Sequence, residues 1–438
     1  MTKKMFVAAC ASLLLCAVSC TRPVGVVNQS QSSSAGSPSE AQSKPSAAAE
    51  PSLISAEGTD AAEPALVAGR DGTAFVAWVE HRGKEADVWF AHLGGDGQRR
   101  GQPVRVNAKA GEATAWHGDP PTLAVAPDGT IYVVWTARAA EKGHANTLYL
   151  SASRDGGQSF AAPVKVNDDE KPCAHGMHSL AVASDGRVYV AWLDERNVAP
   201  PPPAPPNSGH AQKESNSEVF FAASSDGGRT FSANRRIASE VCPCCKTSLA
   251  VSADGRVYAS WRQVLPGEFR HIAVASSTDG GETFSQPVVV SDDKWQIAGC
   301  PVSGAALVAA TDGALHVLWY TAGEAGTPGL YRTESRDGGR TFAPREALAR
   351  SSGRGTPVLL AGERLAAVWE ERGEGGASDI AMAQLAEGNQ RRAKGGVVLA
   401  RAGELPVASM TGEQMFVAYV SEKEGRRGVW LVRAKPSA

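Results

Sequence analysis

The chain has 438 residues, with 44 Lys and Arg against 46 Asp and Glu and a formal net charge of −2. That near balance, without a basic run, sets nucleic acid aside as a partner. Hydrophobic residues make up 42% of the chain, enough at this length to bury a substantial core.

The N-terminus fixes the compartment. Lys3 and Lys4 precede an apolar run, Met5 to Val18, too short to span a bilayer comfortably, and small residues then lead to Cys20. This pattern is a secretory signal over 1–19. "AVSC" (17–20) resembles a bacterial lipobox, with Ala17 where Leu is usual. The resemblance implies cleavage before Cys20, a lipid on its sulfur, and a place in the bacterial cell envelope, at the outer membrane or cell surface. That lipid would be the only membrane contact. Residues 20–52 are mostly Ser, Ala, Pro, Gln and Gly, a composition expected to remain a disordered tether.

From 53 to 438 one unit recurs seven times. "PTLAVAPDGTIYVVW" (121–135), "HSLAVASDGRVYVAW" (178–192) and "TSLAVSADGRVYASW" (247–261) are plain copies, joined by "PALVAGRDGTAFVAW" (64–78) and "AALVAATDGALHVLW" (305–319). Weaker copies end at Trp369 and Tyr419. Each copy reads as two strands about a tight Asp-Gly turn, with a third and a fourth strand following. Four antiparallel strands per repeat of about 50 residues is a propeller blade. The expected fold is therefore an all-β propeller of seven four-stranded blades, or six if a weak terminal copy is no blade. The last copy lacks an outer strand, which "PSLIS" (51–55) can supply to close the ring.

The loop between third and fourth strands has its own signature: "SRDGGQSF" (153–160), "SSDGGRTF" (224–231), "STDGGETF" (277–284) and "SRDGGRTF" (335–342). These resemble the Asp-boxes of bacterial sialidases and their BNR-repeat relatives. Asp155, Asp226, Asp279 and Asp337 are expected to accept hydrogen bonds from turn amides, with the Gly pair allowing positive φ. The box is a folding device rather than a site.

Strand alternation puts both stereotyped turns on one face of the disc and the variable loops and inter-blade links on the other, where a glycan or protein ligand is expected. All five cysteines of the mature chain lie in links just before a first strand: Cys173, with His175 and His178 nearby, then Cys242, Cys244 and Cys245 in "VCPCCKTSLAV", then Cys300. His117 holds the matching place one repeat earlier. The repeat register gathers them around one sector of the channel mouth. Thiols with imidazoles suit Zn or Cu; export equally permits disulfides; and Cys242 with Cys245 has thioredoxin-like spacing without a βαβ context.

The sialidase resemblance spans about residue 53 to the end. It implies an Arg-Ile-Pro motif ahead of Ala-Leu in the first blade, supplying an arginine that clamps the substrate carboxylate. Pro64, Ala65 and Leu66 match, whereas Ala62 replaces that arginine and Glu63, beside it, would repel an anionic sugar. The family's chemistry also implies a Tyr nucleophile with a Glu, and an Asp acid/base. Tyr320, Glu371 and Asp87 are the candidates here, with Arg82, Arg262 and Arg372 as partial clamps. The primary expectation is a binding or scaffold protein; the alternatives are a sialidase or related glycoside hydrolase, and a copper or zinc metalloprotein. A Pro-rich insertion, 197–218, hangs from the variable face and reads as an extended surface loop.

Overall fold

The computed structural model describes residues 49–438 apart from 70, 115–117, 140–143, 200–214, 298, 300, 350–354, 363–364, 374–375, 386–395 and 436–438. The signal and residues 20–48 of the expected tether, including Cys20, therefore lie outside the described residues, as do His117, Cys300 and most of the Pro-rich insertion. No helix among the described residues is long and apolar enough to cross a membrane.

Every described sheet is antiparallel. Five are four-stranded, and the sixth, of eight strands, is two four-stranded units joined by a single bridge from Val241 to Gln263. The third unit, for example, comprises strands His175–Val182, Val188–Asp194, Ser217–Ser224 and Arg235–Val241. The fourth comprises Ser248–Val251, Val257–Leu265, Phe269–Ser277 and Val288–Val289. The two ends of the chain share one sheet. Strand Ser52–Leu53 pairs with Arg426–Ala434, placing Leu53 opposite Trp430. One apolar cluster joins Val76 and Trp78 of the first unit to Phe416, Ala418 and Leu431 of the last.

The repeated Trp anchors each unit's core. Trp78, Trp135, Trp192, Trp261, Trp319 and Trp369 are all fully buried, and a buried indole N–H needs an acceptor. In four units the residue two positions on supplies it, since i and i+2 share a face of a strand. Trp78 donates to Glu80, Trp192 to Asp194 at 2.8 Å, Trp261 to Gln263 at 2.7 Å and Trp369 to Glu371 at 3.2 Å. This Trp-x-acceptor device is a structural feature of the repeat.

The Asp-boxes tie each turn to itself. Asp226 accepts from Ser224 Oγ at 2.8 Å, from the amides of Arg229 and Thr230 at 2.9 and 3.0 Å, and from Thr230 Oγ1 at 2.6 Å. Phe284, closing its own box, packs edge-on to Phe221 of the preceding unit, with centroids 5.0 Å apart. The approach leaves no room for a side chain at Gly281, whose φ is +92° and whose Cβ would come within 2.2 Å of Phe221.

Hydrogen bonds from the following Ser or Thr hold Asp155, Asp226, Asp279 and Asp337 well below the usual carboxylate range. Folded-state values below the unfolded one, about 3.9, mean that the unfolded chain binds more protons in acid. Their contribution is complete above that value and is lost as pH falls through the folded values. The melting temperature is expected to fall steadily below about pH 4. With all four replaced by Asn, that fall should become shallower; an equal slope would remove the boxes from the account.

Candidate functional site

The link from Val241 to Ser248 carries the three clustered cysteines. Its start is fixed by the bridge to the fourth unit, where the Cys242 amide donates to the Arg262 carbonyl at 2.9 Å. Cys242 and Cys245 are buried free thiols, and Cys244, buried beside them, is disulfide-bonded. Cys245 Sγ donates to Cys242 Sγ at 3.4 Å, and Cys244 Sγ lies 3.8 Å from Cys242. That donation, helped by the charge of Arg270, pulls Cys242 down to about 6 against the effect of burial. Burial and the adjacent Cys242 push Cys245 well above the usual thiol range.

Two buried arginines flank these sulfurs. Arg262 is fully buried and spends its donors on backbone oxygens: Nε and Nη2 on Ser303 O at 3.0 and 2.8 Å, and Nη2 on Tyr320 O at 3.0 Å. Its guanidinium also stacks on Trp295, 4.9 Å from the ring centroid. Arg270 Nε and Nη1 are buried with no hydrogen-bond partner among the described residues.

Cys173 and His175 lie in a different group. His175 Nε2 sits 3.5 Å from Cys173 Sγ, 3.0 Å from Asp169 Oδ1 and 3.5 Å from Asp194 Oδ2. Arg196 forks onto Asp194, with Nη2 to Oδ2 at 2.8 Å, and reaches Asp169 at 3.3 Å. Burial, with the Asp194 and Asp169 carboxylates, pushes the Cys173 thiol up to about 12.

The expected single cluster is thus corrected. Among the described residues, two separate groups bring their donors within 4.8 Å of one another: Cys242, Cys244 and Cys245, and Asp169, Cys173 and His175. His178 joins neither. Its Nε2 lies 3.0 Å from Val134 O, and its Nδ1 faces Asp119 at 3.4 Å. A bulge between Gly176 and Ser179, with Met177 at φ +50°, gives His175 and His178 different surroundings.

The candidate catalytic and clamping residues are engaged locally, and no described hydrogen bond or ion pair joins Tyr320, Glu371 and Asp87. The Asp87 side chain is fully buried, accepts from Asn107 Nδ2 and the Gly111 amide at 2.8 Å each, and pairs with Arg82. Glu371 caps Trp369, and burial raises its carboxyl. The Tyr320 ring rests edge-on to Trp295 at 5.7 Å; burial raises its phenol, and no described carboxylate bonds its hydroxyl. A tyrosine nucleophile needs such a base. Arg372 is exposed at the end of strand Leu365–Arg372. Glu63 turns inward onto His81 Nε2 at 2.6 Å, both side chains buried.

Sequence reasoning missed Lys246. This half-buried residue lies where the links of four units meet: its Nζ reaches Pro120 O at 3.4 Å, its neighbour Thr247 bonds Met177 O at 2.9 Å, and its own carbonyl abuts Gly304. Among the described residues no carboxylate lies within 4 Å of its ammonium, and burial pulls it down to about 8 against the field of Asp119. The signal was a lysine at the position that Glu63 and Met177 hold in their repeats.

A family model described as a BNR repeat-like domain matches residues 72–318. No curated protein sequence matches the chain. The fold is similar to that of a PL25 ulvan lyase solved bound to GlcA(1-4)Rha3S, at TM-score 0.54 and 12% identity, covering 86% of this chain and 94% of that one. It is also similar to a protein of unknown function from Dyadobacter fermentans, at TM-score 0.51 and 15% identity, covering 89% and 98%. A Hadza microbial sialidase matches at TM-score 0.48 and 15% identity, covering 83% and 76%.

Proposed function

Since the chain belongs to the BNR repeat-like family, in its sialidase-like form, we propose that it is a lipid-anchored envelope protein that binds an anionic saccharide without hydrolysing it. Its seven units form a ring closed by the N-terminal strand, and the ligand sits where the links of the second to fifth units converge. The observation that carries this reading is Lys246, a half-buried ammonium with no carboxylate partner within 4 Å among the described residues. Such a cation is costly to desolvate and gains from an anionic ligand. The ulvan lyase of similar fold was solved with a saccharide bearing carboxylate and sulfate, which is the ligand chemistry proposed here. Hydrolysis is not part of the proposal, because Arg262 and Asp87 spend their polar atoms inside the fold and Ala62 offers none.

Calorimetric titration with uronate- and sialate-bearing oligosaccharides tests the reading. Lys246→Met is expected to weaken binding about 10- to 100-fold, the worth of one charge-assisted hydrogen bond. Binding requires the protonated ammonium, so affinity should also fall as pH rises through about 8. Undiminished binding by Lys246→Met would defeat the assignment.

A further inference from the structure

We propose that Asp169, Cys173 and His175, with Asp194 beside them, form a binding site for a divalent cation of the zinc class, independent of the clustered cysteines. Imidazole nitrogen, thiolate sulfur and carboxylate oxygen are the three donors that zinc takes from proteins. Zinc bond lengths of about 2.0–2.3 Å give a tetrahedron donor–donor edges of about 3.3–3.6 Å. The separations here are 3.5 Å from Cys173 Sγ to His175 Nε2, 3.4 Å from Cys173 Sγ to Asp169 Oδ2 and 3.0 Å from His175 Nε2 to Asp169 Oδ1, the two carboxylate oxygens meeting different donors, and one donor atom from each of the three residues lies within 4.8 Å of the others. Asp194 Oδ2, 3.5 Å from the same imidazole nitrogen, is in place as a fourth donor.

The surroundings orient these donors as metal sites require. His175 Nδ1 donates to the Asn146 carbonyl at 2.7 Å, which leaves the Nε2 lone pair turned toward the acids and the sulfur. Asn167 Nδ2 donates to Asp169 Oδ1 at 2.7 Å, fixing the orientation of that carboxylate. The His175 side chain is 1% exposed, Asp194 0% and Asp169 10%, while Cys173 is only partly buried and leaves an entry path. Positive charge is short. Among the described residues Arg196 is shared between the buried Asp194 and Asp169 and also reaches the half-exposed Asp168, and two buried carboxylates on one guanidinium favour a further cation. The clustered cysteines are less suited, since the Cys244 sulfur is already committed to a bridge.

The test uses the mature protein stripped with a chelator and titrated with zinc alone against a chromophoric competitor, followed by native mass spectrometry. One zinc per chain is expected. Cys173→Ser and Asp169→Asn should each weaken it on the order of 100-fold or more, with thermal unfolding recorded to confirm that both variants fold. The Cys242→Ser/Cys245→Ser double variant should bind zinc as the wild type does. With cobalt as the probe, a thiolate charge-transfer band should appear and be lost in Cys173→Ser. The proposal is overturned if zinc fails to bind, if it survives both single substitutions, or if it is lost only in the double variant.

Discussion

Arg262→Ala is expected to destabilise the fold by about 3–4 kcal/mol, through unpaired backbone carbonyls and an unfilled cavity. The guanidinium is fully buried and donates to Ser303 O and Tyr320 O, tying the fourth unit to the fifth, while its face covers Trp295. Arg262→Lys should recover little, because an ammonium lacks the planar fork that reaches two carbonyls and stacks on the indole. A carboxylate clamp would behave otherwise, losing affinity while the melting temperature held. Denaturant unfolding of the two variants separates the accounts, and an unchanged midpoint would return Arg262 to the candidate ligand set.

Cys244→Ser carries the other large expected effect, a loss of about 2–5 kcal/mol, as for native bridges in exported domains. Cys244 lies in the link that starts where the third and fourth units join through Val241 and Gln263. A reductant should lower the wild-type midpoint to that of the variant and leave the variant unmoved. A wild type indifferent to reductant would show that the bridge contributes nothing. Cys242→Ser should keep the bridge, while removing the sulfur that lies 3.8 Å from Cys244.

The all-β series of antiparallel, mostly four-stranded sheets was legible in the sequence because a repeat states its period openly. The Asp-Gly turns, the Asp-boxes and the closing Trp mark each unit, and Ser52–Leu53 pairs with the last unit's Arg426–Ala434. The site was legible only in part. Strand alternation places a residue on a face but says nothing about depth, so Arg262 looked like a clamp although it lies against Ser303 in the interior. Glu371 looked catalytic because it stands near the variable face; the same alternation, applied from Trp369, would have shown that it caps the indole. Cys173 was grouped with the other cysteines by register, and the bulge that follows it leaves no trace in the periodicity. Asp169 was missed, and Asp194, in "DER" (194–196), was not linked to His175, because one ends a preceding unit and the other closes a second strand, positions that converge on His175 only in three dimensions.

The account rests on the Lys246 ammonium holding an acidic saccharide and leaving it whole. The direct measurement is to incubate stoichiometric mature protein with sialate- and uronate-bearing oligosaccharides, scoring the bound fraction and the integrity of the sugar in the same sample by mass spectrometry. The account predicts one bound, intact oligosaccharide per chain, displaced in Lys246→Met. Cleaved product that disappears in Tyr320→Phe, or no bound sugar at any pH below 8, would contradict it.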